Sequence, residues 1–173
     1  MPRMVEKIFE GRILSLNREE HELPDGRRAV FEMVRHPGGA TILPVLGDGR
    51  VLLIRQFRPA AGGMVWEIPA GRLEPGESPR ECVAREIQEE IGYRADKIEP
   101  LGEMLTAVGF CDEVVYLFLG SNLEPVERAL EPDEYIEVVP TEFNEALAMV
   151  ARGDIPDGKT QLALLLAARR GGE

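Results

Sequence analysis

Glu77, Glu86, Glu89 and Glu90 fall within one run, GRLEPGESPRECVAREIQEEIGY, that begins at Gly71. On a helix Glu86 and Glu90 stand one turn apart and Glu89 three residues from Glu86, so the three carboxylates project to neighbouring regions of one face. Like charges at that spacing repel by about 0.2–0.5 kcal/mol, and the helix C-terminus disfavours them further. Locally only Arg85 compensates. A solvated acidic face is the ordinary meaning of such a run. Here a glycine-bearing loop precedes it, and Pro75-Gly76 can fold Glu77 back, so four carboxylates are expected to converge. Oxygen ligands without Cys or His suit Mg²⁺, with Mn²⁺ as a substitute, and suggest metal-assisted hydrolysis of a pyrophosphate.

The elements that must position these groups are legible around the run. Ser78 and Glu81 have capping-box spacing, Pro79 suits the first helical position, and Gly92 suits the left-handed residue past the end. Val83, Ile87 and Ile91 form an apolar stripe with Ala84 beside it, which turns the rest of the helix outward. Upstream, ATILPVL and RVLLIRQF, joined across Gly47-Asp48-Gly49, read as core strands of one hairpin, and VWEIPAG as a shorter strand leading to Gly71. KIFEGRILSLN and RRAVFEMVR, on either side of the turn Leu23-Pro24-Asp25-Gly26, read as a hairpin-like N-terminal sheet. Such a sheet is thin enough to need a partner surface. Downstream, strands are expected near residues 97–106 and 113–119. Helices are expected over 141–152, capped by Thr141, and over 159–170. The pattern predicts an α+β chain or an α/β/α sandwich, with residues 1–37 as the N-terminal sheet and 38–173 as the catalytic domain.

The chain has 173 residues, 31 acidic against 20 basic, and a formal charge of −11. That balance argues against nucleic-acid binding through a broad basic face. No apolar run nears the roughly 20 residues of a membrane span, and the charged N-terminus does not read as a secretory signal, so a soluble cytoplasmic protein is expected. Cys82 and Cys111 make neither a metal spacing nor a disulfide framework. His21 and His36 have no partner at ligand spacing, so neither is assigned to catalysis.

The run resembles the Nudix box, G-x5-E-x7-R-E-U-x-E-E-x-G-U, where U is a bulky aliphatic residue. Only Tyr93, in the last position, departs from it. The resemblance implies an α/β/α Nudix sandwich with a mixed sheet, and a metal held by Glu86, Glu90, Glu89 and the main-chain carbonyl of Ala70. It also implies that Arg85 pairs with Glu77 to hold the loop to the helix. The segments RQFRPA, WEIPAG, GFCDE and DEYIEVV are similar to the ADP-ribose pyrophosphatase-like branch, which implies a homodimer built through the N-terminal sheet. That branch further implies substrate contacts by Arg58, Arg55 and Glu113. Glu134 would complete catalysis as general base or additional ligand, with Asp133 or a box glutamate, Glu89, as the alternative carboxylate. Val108 stands where the branch has proline, and Arg12 and Ile13 where an aromatic residue is common, with Phe31 as a substitute ring. ADP-ribose is the leading substrate that the resemblance implies, with GDP-mannose and ADP-glucose open beside it. A non-catalytic nucleotide-sugar sensor and a hydrolase of oxidised nucleoside triphosphates are the competing classes.

Overall fold

A computed structural model of the chain describes residues 4–130, 132 and 134–171. It divides into two compact units, 1–38 with 105–115, and 39–104 with 116–173. The segment 105–115 thus groups with the N-terminal strands, not with the larger unit.

The first unit is built on an antiparallel sheet of β1 (Met4–Glu10), β2 (Ser15–Glu22) and β3 (Arg28–Arg35), in the order β1-β2-β3. The stretch KIFEGRILSLN holds the end of β1 and the start of β2: Gly11 N donates to Leu14 O at 2.9 Å, and the turn separates the two strands. Every residue of β1 is exposed. Segment 105–115 is stitched to β3, because Val34 N donates to Phe110 O and Asp112 N to Val34 O. Glu19 is the buried polar centre of this unit, 1% exposed. It accepts from both Nε (2.9 Å) and Nη2 of Arg35, from His21 Nε2 at 2.9 Å and from Asn17 Nδ2 at 3.3 Å.

The second unit carries two sheets, one ordered β10-β5-β6 and the other β7-β4-β9-β8. Their strands are β4 (Gly39–Pro44), β5 (Val51–Arg58), β6 (Gly63–Glu67), β7 (Ala70–Arg72), β8 (Tyr93–Leu105), β9 (Val114–Pro125) and β10 (Ile136–Thr141). Helices α1 (Pro79–Ile91), α2 (Phe143–Arg152) and α3 (Gly158–Gly171) complete it. Residues of β4 and β5 alternate between two cores. Ala40, Ile42, Leu52 and Ile54 pack with Val83 and Ile87 of α1, whereas Leu43, Val51 and Leu53 pack with Ala146 and Leu164 of α2 and α3. The result is the expected α/β/α sandwich, and it explains why both strands are apolar on both faces. Each large aliphatic side chain so buried is worth roughly 1.5–3 kcal/mol.

The expected hairpin of β4 with β5 closes only at its turn, where Leu46 N donates to Arg50 O at 2.8 Å. Beyond a single bridge between Val45 and Val51 the two strands part into different sheets, β4 between β7 and β9, β5 between β10 and β6. Pro44 cannot donate to a ladder, and Val45 N turns to Gly120 O at 2.8 Å. VWEIPAG likewise splits, with Ile68-Pro69 between β6 and β7. Thr141 does not cap α2; it ends β10, its hydroxyl donates to Val139 O, and Glu142 takes the cap position without a side-chain bond.

Candidate active site

The helix α1 forms where its signals place it. Ser78 and Glu81 make both bonds of the capping box, and Gly92 ends the helix in the left-handed region at φ 70°. Gly71 is required for a different reason: a Cβ there would lie 1.6 Å from Glu86 Oε1. The Glu86 carboxylate therefore rests directly on the main chain of β7. Nor does the helix turn all its polar residues outward. Glu86 is 7% and Glu90 1% exposed, buried beside Val83 and Ile87.

Burial sets the electrostatics of these two residues. It pushes the Glu86 carboxyl up to about 7, against the pull of Arg85 and with added repulsion from Glu89 and Glu134. Burial, then repulsion from Glu86, raises Glu90 well above the usual carboxylate range, although Ala70 N donates to its Oε2 at 2.9 Å. Glu77 and Glu89 do not join them in a four-carboxylate centre, and among the described residues no three acidic side chains gather at metal-ligand spacing. Arg85 intervenes: Nε and Nη2 bind Glu77 at 3.0 and 3.1 Å, and Nη1 reaches Glu86 at 2.5 Å and Glu89 at 2.9 Å. One guanidinium thus braces the loop against the helix and partly neutralises its acidic face.

Arg58 sits at the end of β5, its Nε and Nη2 bonded to the two oxygens of Glu67 at 2.7 and 2.9 Å. Burial pushes Glu67 up, but the hydrogen bond from Arg58 and the attraction of Lys159 outweigh it, and the carboxyl is held below its ordinary range. Lys159 Nζ lies 2.5 Å from Glu67 and 3.0 Å from Asp157. Arg58 also feels the charge of Glu90, so this ion cluster borders the acidic pair. Arg55 binds Glu137 at 3.2 Å and stacks 5.4 Å over Trp66. Glu134 is half-buried and repels both Glu86 and Glu90. Asp133 lies outside the described residues. Glu113 belongs to the first unit, where it accepts from Thr106 Oγ1 at 2.8 Å and lies 3.2 Å from His36 Nδ1.

Sequence reasoning does not single out Glu67, Lys159 or Arg128. For Glu67 the available signal is its place within WEIPAG, and for Lys159 its place two residues after Asp157, at the start of α3. Arg128 has none, because its hydrogen bonds run to main-chain carbonyls.

Two adjoining buried carboxylates whose proton affinity stays raised despite Arg85 beside Glu86 and the more distant charge of Arg58 are chemically suited to a divalent ion. Glu86 and Glu90 fit that role, with Glu89 and the Ala70 carbonyl as further oxygen donors nearby in sequence. An α/β/α sandwich with such a pair behind a loop-helix turn is an arrangement suited to metal-assisted hydrolysis of a phosphoanhydride. Residues 35–163 match the NUDIX domain, and the chain belongs to the Nudix family, whose hydrolases generally use divalent metal ions. It is 38% identical over 161 residues to an ADP-ribose pyrophosphatase of Bacillus subtilis (strain 168), covering 92% of this chain and 87% of that one. At 35% identity and the same coverage it is similar to a methanol dehydrogenase activator of Bacillus methanolicus. At 41% identity over 149 residues it is similar to a GDP-mannose pyrophosphatase of Yersinia pestis (strain Pestoides F), covering 80% and 74% of the two chains. A crystal structure of an ADP compounds hydrolase shares the fold, with a TM-score of 0.85 at 21% identity over 99% of this chain and 95% of that one. No helix among the described residues is long and apolar enough to cross a membrane.

Proposed function

We propose that this chain is a Mg²⁺-dependent pyrophosphatase, with Mn²⁺ as a substitute, that splits ADP-ribose and water into AMP and ribose 5-phosphate. The observation that carries the reading is the buried pair Glu86 and Glu90, which the protein itself leaves without a full counter-charge. The ADP-ribose pyrophosphatase similar to it over 92% of its length supports the substrate. A divalent ion would neutralise the diphosphate and lower the pKa of the attacking water. Glu86, Glu90, Glu89 and the Ala70 carbonyl would hold it.

The remaining roles fall to the chain's own side chains. Arg85 keeps the loop on the helix through Glu77. Arg58, with Nε and Nη2 committed to Glu67, offers Nη1 to a phosphate oxygen. Arg55 and Glu113 serve as further substrate contacts. Glu134 takes the proton from the attacking water or adds a ligand, and Glu89 is the second carboxylate for that step. We assign the protein to the cytoplasm, as a homodimer with no nucleic-acid partner. Support for the dimer comes from exposed Met4, Val5, Phe9 and Val30 on a sheet with one wholly exposed strand. The second reading, GDP-mannose as substrate, is favoured by the 41% identical relative.

A panel of ADP-ribose, GDP-mannose, ADP-glucose and an oxidised nucleoside triphosphate, with products identified by mass, tests the proposal. The highest kcat/KM is expected on ADP-ribose. Release of no nucleoside monophosphate from any nucleotide sugar would sink it, and tight binding without turnover would favour a sensor. Glu134→Gln is expected to lower kcat by about 10²-fold or more, the least a general base contributes.

A further inference from the structure

The last turn of α1 places Glu89 and Glu90 at the negative end of the helix, and the helix supplies no basic residue there. The missing cation arrives from outside the helix. Arg128 Nε donates to the main-chain oxygen of Glu90 at 2.6 Å, and its Nη2 donates to that of Ile136 at 2.9 Å. Ala129 N donates to Glu89 O at 3.2 Å and Val126 N to Gly92 O at 2.9 Å. One short stretch therefore satisfies two carbonyls that the helix end leaves without partners, those of Glu89 and Glu90, and that of Gly92 just past it. The fit is close: at Gly92 a Cβ would stand 3.1 Å from Val126 O and 3.2 Å from Arg128 Cβ.

The other end of the Arg128 bridge is equally anchored. Ile136 opens β10 opposite Gln56, and Phe57 N donates to Tyr135 O at 3.2 Å. Glu134 immediately precedes that anchored pair and lies within electrostatic reach of Glu86 and Glu90. A guanidinium is planar and can donate to two carbonyls in a fixed fork, whereas an ammonium cannot hold both in that geometry.

We propose that Arg128 is a positioning residue for the hydrolysis: by bridging the carbonyls of Glu90 and Ile136 it fixes the distance between the carboxylates of α1 and Glu134. The inference rests on the role proposed above for Glu134. A helix cap alone would stabilise α1 without linking Arg128 to that carboxylate, so the two roles separate in a double-mutant cycle.

The cycle uses Arg128→Met and Arg128→Lys, each alone and with Glu134→Gln, assayed on ADP-ribose with Mg²⁺, alongside Mn²⁺ titration and melting curves. Arg128→Met is expected to lower kcat by roughly 10–100-fold, the cost of losing a supporting partner, with KM little changed. Arg128→Lys is expected to recover part of that loss. With Glu134 already replaced, Arg128→Met should cost less than about twofold in kcat, because both changes remove the same interaction. Losses that multiply in the double variant, with Glu134→Gln itself slow, would overturn the role of Arg128 alone. A Glu134→Gln enzyme with wild-type kcat would overturn the role of Glu134 and this inference with it. Should Arg128→Met fail to fold, the Arg128→Lys cycle separates the two roles by the same comparison.

Discussion

Glu19 in the first unit and Glu90 in the second are each 1% exposed, yet their carboxyls shift in opposite directions. The fork of Arg35 lowers the Glu19 carboxyl to about 2, with His21 and Asn17 adding hydrogen bonds. Burial raises Glu90 well above its ordinary range, and the Glu86 carboxylate raises it further. Against these Glu90 accepts a main-chain hydrogen bond from the Ala70 N–H. A buried charge that the fold fully compensates is structural, because its partner is always present. One that the fold leaves under-compensated costs stability until a ligand arrives, which is the pattern expected of a functional site.

That contrast can be broken most forcefully by removing each charge. Glu19→Ala is expected to destabilise the protein by about 3 kcal/mol in urea unfolding, because it strands Arg35 in a part-buried site. The low end of that range applies because Arg35 keeps Asp112 at 2.9 Å. Glu90→Gln should do the reverse. An amide can still accept from Ala70 N without charge burial, so the melting temperature without metal should hold or rise. Turnover, in contrast, should fall on the order of 10²–10³-fold, the loss typical of one electrostatic group acting on the reacting centre. Wild-type turnover in Glu90→Gln, or a large drop in its melting temperature, would erase the distinction.

Proton linkage sharpens the same contrast. Glu86 rises from 4.5 unfolded to about 7 folded, so across that window the folded chain holds more protons than the unfolded one. Its contribution is present below about 4.5 and is lost as pH rises through 7, and Glu90 acts in the same sense. Glu19 runs the other way: its contribution is full above 4.5 and is lost as pH falls towards 2. A divalent ion held as proposed by Glu86 and Glu90 would have to displace their protons, so the rise in melting temperature on adding Mg²⁺ should be larger at about pH 8 than at about pH 5. Calorimetry with and without chelator measures it, and a pH-independent rise would remove the pair from metal binding.

Local signals in the sequence are sufficient for local structure. The α1 boundaries follow from Ser78, Glu81, Pro79 and Gly92, whose effects act over four residues or fewer. The separation of β4 from β5 is not legible, because proximity in sequence favours a hairpin, whereas two strands apolar on both faces each need neighbours on both edges. Glu86 and Glu90 are legible as chemistry but not as buried, since polarity alone points a side chain outward. Gly71 becomes explicable only with Glu86 resting on it. Arg128 is invisible because its partners are carbonyl oxygens 38 and 8 residues away, and carbonyls carry no sequence identity.

Glu77→Gln is the finest test, because Arg85 stands between the two extremes. Its fork compensates Glu77 fully enough to lower that carboxyl, yet it leaves Glu86 raised despite a contact of 2.5 Å. Removing the Glu77 charge should cost about 1.5 kcal/mol of stability without metal, the lower value for a charged hydrogen bond, because Arg85 is partly solvated. The freed guanidinium should then lean more on Glu86 and Glu89, and the Mg²⁺ concentration for half-maximal activity should rise. At saturating Mg²⁺, kcat should stay within about tenfold of wild type, equivalent to a barrier change under ~1.4 kcal/mol. If kcat at saturation fell as far as in Glu90→Gln, Glu77 would belong with the under-compensated carboxylates and its pairing with Arg85 would not be its main role.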